Sequence, residues 1–256
     1  MALSFEKNFH QTVDDCALRG DLAGLLELFG QAHIPKPLYW AAENGLTKCL
    51  AILISASDTN SNSHALAYAA DNGHAECVKL LIPASDPKIN NSAALLLAAE
   101  SGHSECVELL IPVSDPKAND SAALRWAAGN GHAACVGLLV PSSNPKAKIS
   151  EALRKAVCNS DAQCARALIS TSALLLDQKE IFMEIAEQGE AEILSLILAA
   201  EPLFLAGEDL LARKNAATAR GHRELAALLS SLIEQAILDE LPAPQMTSPA
   251  SPALRI

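Results

Sequence analysis

The sequence predicts an all-α solenoid, and three observations carry that prediction. The chain repeats itself: AADNGHAECVKLLIPASDPK at 69–88 returns as AAESGHSECVELLIPVSDPK at 98–117 and as AAGNGHAACVGLLVPSSNPK at 127–146, a period of 29 residues. A fixed period of this size marks units that cannot bury an apolar face alone and must stack on their neighbours. Of the 256 residues 50% are hydrophobic and only 4% aromatic, with alanine and leucine abundant, which favours close-packed helices over a sheet sandwich. Within a unit the apolar residues recur at helical intervals.

The elements follow in chain order. Residues 1–19 read as a capping helix ahead of the repeats. The glycine of the Gly-His pair then sets the register: Gly73, Gly102 and Gly131 are the clear copies, with weaker equivalents at Gly20, Gly45, Gly189 and Gly221. Ser160 fills the gap, 29 residues after Gly131 and 29 before Gly189, which makes about eight units. In the clearest unit SAALLLAAESG predicts a first helix with Ser92 as its N-cap and Gly102 as its stop. SECVELLI follows, with Cys106, Val107, Leu109 and Leu110 on one face and Pro112 ending it. Residues 208–239 predict the closing cap. Residues 1–239 are therefore expected to form one solenoid, and residues 240–256, rich in Pro, Ser and Ala, a disordered tail.

Composition excludes several functions. Thirty acidic against nineteen basic residues give a formal net charge of -11, against a general affinity for nucleic acid. The N-terminus lacks the pattern of a secretory signal, and no uninterrupted 18-residue apolar span is present, so a soluble protein without membrane association is expected. Seven cysteines without a pairing pattern suit a reducing compartment such as the cytoplasm.

With the Lys36-Pro37-Leu38-Tyr39-Trp40-Ala41-Ala42 start, the recurrent alanine pair, the Gly-His turn and a second helix ending in leucines, the units resemble ankyrin repeats. Lys and Tyr replace the family's Thr and His in that start, and Ala93-Ala94-Leu95 and Ala122-Ala123-Leu124 lack the Thr-Pro pair. Each clear unit is also about four residues shorter than the usual ankyrin repeat. The shortage lies where SDPKINNS and SDPKANDS stand in place of a β-hairpin finger. The resemblance covers roughly residues 10–235 and implies a scaffold that binds another protein, as a monomer when free, without naming the target. The short units resemble ankyrin proteins of bacteria, including those delivered into host cells or neutralising toxins. Cytoplasmic residence is implied, in the host cell if the protein is such an effector.

No cofactor or metal is expected. Cys49, Cys77, Cys106, Cys135 and Cys164 share one repeat position, and stacked helices hold such positions about 8–10 Å apart, too far to converge on one ion. They read as small buried hydrophobes. His74, His103, His132 and His222 recur after the turn glycine, where an imidazole can tie the turn to neighbouring backbone. The competing reading is an enzyme using Cys158 or Cys16, which lie off the ladder. No phosphate loop or Ser-His-Asp constellation supports catalysis, so a non-enzymatic module is expected.

The surface then carries function. By resemblance, the residues after the alanine pair line a concave groove: Glu43 and Asn44, Asp71 and Asn72, Glu100 and Ser101, Gly129 and Asn130. Trp40, Tyr68, Leu97 and Trp126 stand just before each pair, either packed between first helices or forming an aromatic strip that anchors a partner. Arg125, Lys146, Lys148, Arg154 and Lys155 gather in the fifth and sixth units, so the groove changes sign along its length. Lys88, Lys117 and Lys146 are expected to form a row along the turns.

Overall fold

The computed structural model describes residues 2–34, 36–143, 147–171, 185, 188–200 and 210–240. Among them fifteen α-helices and no strand are found. They are α1 (Ala2–Arg19), α2 (Leu22–Gln31), α3 (Pro37–Glu43), α4 (Thr47–Ser55), α5 (Thr59–Asp71), α6 (Ala75–Leu81), α7 (Ile89–Glu100) and α8 (Ser104–Leu110). The series continues with α9 (Ala118–Gly129), α10 (Ala133–Leu139), α11 (Ala147–Cys158), α12 (Ala162–Thr171), α13 (Ala191–Ala200), α14 (Leu210–Arg220) and α15 (Arg223–Glu240).

The helices stack in two layers. First helices follow one another as α3, α5, α7, α9 and α11, and second helices as α2, α4, α6, α8, α10, α12, α13 and α15. Each first helix also packs on its own partner, as α7 does on α8 and α14 on α15. Alanine makes the first layer possible, because only a methyl group separates neighbouring backbones. The pairs Ala41-Ala42, Ala69-Ala70, Ala98-Ala99 and Ala127-Ala128 are all fully buried. The second layer contributes one Cys-Val-Leu set per unit, such as Cys106, Val107 and Leu110 on α8, also fully buried.

The turn residue between the two helices of a unit has to adopt a left-handed conformation, the reason glycine recurs there. Gly20, Gly45, Gly73, Gly102, Gly131, Gly189 and Gly221 all have positive φ, from 69° to 84°. Ser160, aligned on spacing alone, has φ 56° and completes the set of eight.

Where a hairpin finger was missing from the sequence, the structure turns tightly. A 3₁₀ turn spans Ile82–Ala84 after α6 and another spans Val140–Ser142 after α10. The backbone then goes left-handed over three residues, Asn90, Asn91 and Ser92 before the body of α7, and Asn119, Asp120 and Ser121 before that of α9. Asn and Asp tolerate this region better than other non-glycine residues. The expected N-cap at Ser92 is therefore corrected. With φ 60° it does not cap its own helix, and its Oγ instead accepts the Asp115 N–H of the next unit at 2.9 Å. Ser63 does the same for Asp86 at 2.8 Å. These two seryl oxygens thus tie the turns at Asp86 and Asp115 to the unit before each.

Candidate binding face

On the open side of the first-helix layer the residues before the alanine pairs are not equivalent. Tyr68 and Trp126 are 43% and 44% exposed, large values for rings whose neighbouring alanines have no exposure. Trp40 is half-buried, edge-on to Phe9 at 5.6 Å and to Phe29 at 5.5 Å, so it closes the N-terminal end of the core. Leu97 is half-buried between the exposed rings. Both alternatives for this row are thus realised, packing at Trp40 and exposure at Tyr68 and Trp126.

Tyr39 escaped the sequence-based selection of site residues, and Lys155, expected only within the basic cluster of the fifth and sixth units, also joins the aromatic row. Tyr39 stacks on Tyr68 with centroids 5.5 Å apart, and the Lys36 ammonium sits 5.1 Å above the Tyr39 ring. Lys155 lies 5.2 Å above Trp126. The signal for Lys155 was present: it precedes Ala156 as Trp126 precedes Ala127, so it continues the aromatic row as a cation.

The residues after the alanine pairs divide by atom. The carbonyl of Glu43 is bonded to His74 Nε2 at 2.8 Å, and that of Glu100 to His132 Nε2 at 2.9 Å. These bonds cross from one unit to the preceding one, as expected of the repeated histidine. Asn130 Nδ2 donates to the same Glu100 carbonyl at 2.8 Å, and Asn159 Nδ2 to the Gly129 carbonyl at 2.5 Å. Asn44 and Asn72 donate instead to Trp40 and Tyr68, capping their own helices at 2.8 and 3.0 Å. Ser101 Oγ donates to Asp71 Oδ1 at 2.8 Å. The asparagine amides thus hold the scaffold together; of the three acids Glu43 is exposed, whereas Asp71, tied to Ser101, and Glu100 are half-buried.

In the fifth and sixth units Arg125 is half-buried, paired with Glu151 at 3.2 Å and donating to the Asn119 carbonyl at 3.1 Å. Arg154 is exposed. Lys146 lies outside the described residues, and for Lys148 only its place on α11 is described. Lys88 and Lys117 are exposed at equivalent turns.

The cysteine ladder is buried throughout, with Cys49, Cys77, Cys106, Cys135 and Cys164 at most 1% exposed and none in a disulfide. Burial pushes the Cys49 thiol from 9.0 up to about 12 and the Cys106 thiol up to about 11. It likewise raises Cys77, Cys135 and Cys164. Protonated thiols are poor nucleophiles and poor metal ligands. Off the ladder, Cys16 is buried with Arg19 3.5 Å from its sulfur, and Cys158 is exposed at the end of α11. Among the described residues no three His, Cys, Asp or Glu side chains converge as metal ligands, and no helix is long and apolar enough to cross a membrane.

A family model for ankyrin repeats matches the chain in three copies, over residues 15–92 and 66–152, which together span more than half of it. No curated protein matches the chain.

Proposed function

Because the chain belongs to the ankyrin-repeat family, whose repeats are generally protein–protein interaction modules, we propose that it is a non-catalytic binding module that grips a protein partner on its first-helix face. The observation that carries the reading is the exposure of Tyr68 and Trp126 at one repeat position, directly beside fully buried alanine pairs. Exposed aromatic rings on a rigid frame are efficient anchors, since little side-chain entropy is lost when they are covered. Arg125, held by Glu151 beside Trp126, supplies the second residue type enriched in interface hot spots.

On this reading the protein is an adaptor, targeting factor, effector or inhibitor acting in a cytoplasm, and it works as a free monomer. The buried, protonated thiol ladder supports a structural role for most of the cysteines. The test of binding is Trp126→Ala in affinity capture from native lysate. A central anchor should weaken the partner by about 2 kcal/mol, roughly thirtyfold. Circular dichroism and thermal melting run in parallel separate lost binding from lost folding. A folded Trp126→Ala protein that captures the partner at full strength would remove the groove from the reading. For catalysis, the decisive measurement is a thiol-labelling profile at neutral pH, in which a low-pKa nucleophile at Cys158 would label far faster than an ordinary exposed thiol.

A further inference from the structure

Resting on that reading, we infer that the groove takes an extended, charge-graded peptide segment, basic over the second to fourth units and acidic over the fifth and sixth. Three observations lead there. The position directly after the alanine pair carries Glu43, Asp71 and Glu100 in three successive units and then Gly129 and Cys158, so the acid row stops abruptly. In the units where it stops, Arg154 and Lys155 occupy positions that earlier units give to Tyr39 and Trp40.

The pairing of the charges is the second observation. Among the described residues, Lys79 is paired with Glu76 and Glu105, Arg166 with Glu192, and Arg125 with Glu151. The carboxylates of Glu43 and Glu100 and the guanidinium of Arg154 have no such partner among the described residues, although they share the face of the exposed rings. A like-signed row left unpaired opposes folding slightly through self-repulsion and is compensated when a partner supplies the opposite sign.

Spacing is the third, and it selects the partner's conformation. The acids advance one per unit, and adjacent packed helices lie about 8–10 Å apart. A polyproline II chain rises about 3.1 Å per residue with three residues per turn, so side chains at every third residue share one face at about 9 Å intervals. This matches the acid row, whereas a β-strand turns every third residue to the opposite face. Five units then correspond to about 13 residues of such a chain. Tyr68 stacked on Tyr39, and Trp126 further along, offer the ring surfaces on which proline-rich chains and cationic side chains dock.

The experiment uses the full chain and fluorescent synthetic peptides of about 13 residues, matching the polyproline II span. One is proline-rich, with arginine at every third residue of its first half and glutamate in its second half. A second has the same composition with the charges interspersed. A third exchanges arginine for glutamate and the reverse. Fluorescence anisotropy at low salt should show the graded peptide binding at least about tenfold more tightly than the interspersed one, with the difference shrinking as salt rises. The double variant Glu43→Lys, Glu100→Lys should lose the graded peptide and recover the charge-exchanged one in combination with Arg154→Glu. All three positions expose their side chains or leave them unpaired, so folding is preserved.

Equal binding of graded and interspersed peptides, or failure of the exchanged peptide to recover, would overturn the inference and leave only non-specific attraction by the net negative charge. Salt-sensitive self-association in sedimentation, abolished by the same variants, would overturn it in favour of a second copy of the chain as occupant. Loss of native-partner capture by Trp126→Ala alongside indifferent peptides sinks the graded segment alone. Full capture by Trp126→Ala sinks the groove reading itself.

Discussion

The contact between a turn glycine and the histidine of the following unit, made at Gly45, Gly73, Gly102 and Gly189, is the inter-unit joint whose strength can be worked out most directly. Gly102 has φ 82°, and a Cβ built there would lie 2.5 Å from His132 Nδ1 and 2.7 Å from its Cε1. The ring cannot simply swing aside, because its Nε2 is bonded to the Glu100 carbonyl at 2.9 Å. Gly102→Ala therefore has two separable costs. Placing alanine in the left-handed region costs about 1–2 kcal/mol whatever surrounds it. Displacing the imidazole forfeits a hydrogen bond worth about 1 kcal/mol, although Asn130 still donates to the same carbonyl. The expected total is about 2–3 kcal/mol, or a fall in Tm of roughly 5–10 °C for a chain of this size.

The double-mutant cycle with His132→Ala isolates the joint. In the His132→Ala background the clash is gone, and Gly102→Ala should cost only the backbone part, leaving a coupling of about 1 kcal/mol. Urea titration followed by circular dichroism measures all four proteins. A coupling below about 0.3 kcal/mol would mean that the histidine does not bear on the glycine and would refute the reasoning.

Other consequences follow from the same geometry. Cys106→Val, which nearly keeps volume and apolarity at a position with no exposure, should be close to neutral, while Cys106→Asp should unfold neighbouring units; equal melting temperatures would contradict the buried placement. The raised thiol pKa values make stability pH-dependent: the unfolded chain loses these protons near the ordinary 9.0, whereas the folded chain holds them until about 11 at Cys106 and about 12 at Cys49. The folded state therefore binds more protons in that window, so stability is full below pH 9.0 and falls as pH rises through it, and Cys106→Val should flatten the fall in urea midpoints. Ser63→Ala leaves the Asp86 N–H without its acceptor at a partly buried turn and should cost about 1–2 kcal/mol in the same titration. Acrylamide should quench Trp126 in the Trp40→Phe protein more strongly than Trp40 in the Trp126→Phe protein, since Trp40 lies among Phe9 and Phe29.

Much of this architecture was legible because a repeat writes each contact several times. The turn register survived even at Ser160, where the glycine is missing, since the spacing of 29 demanded a left-handed residue there and the backbone supplies one. The histidine was assigned to inter-unit bonding from recurrence alone, and the cysteine ladder from the spacing of stacked helices. The N-cap at Ser92 was misjudged for an instructive reason. Serine before an apolar run usually caps its own helix, but Asn90 and Asn91 could also signal left-handed backbone, and the tight turn won because it gives the Asp115 N–H a partner. The 29-residue spacing of Ser63, Ser92 and Ser121 was the unused signal. The aromatic row could not be resolved from sequence because its members meet different neighbours. Trp40 faces the phenylalanines of α1 and α2, whereas Trp126 faces Lys155.

The division of labour on the first-helix face leads to one more expectation. His74, His132 and Asn130 grip the backbone carbonyls of Glu43 and Glu100, and backbone carbonyls are present whatever the side chain. The scaffold therefore constrains where these two residues stand without constraining what they carry. The carboxylates themselves make no hydrogen bond or ion pair among the described residues, so folding stability should hardly depend on them. Glu43→Gln and Glu100→Gln, singly or together, should shift the urea midpoint by an amount equivalent to no more than about 0.5 kcal/mol, the range of ordinary surface substitutions. Contrast comes from Asn130→Ala, which deletes the side-chain donor to the Glu100 carbonyl and should destabilise by about 1 kcal/mol. If the two glutamines destabilise as much as Asn130→Ala, the carboxylates belong to the folding machinery, and a partner cannot be the reason that they line this face.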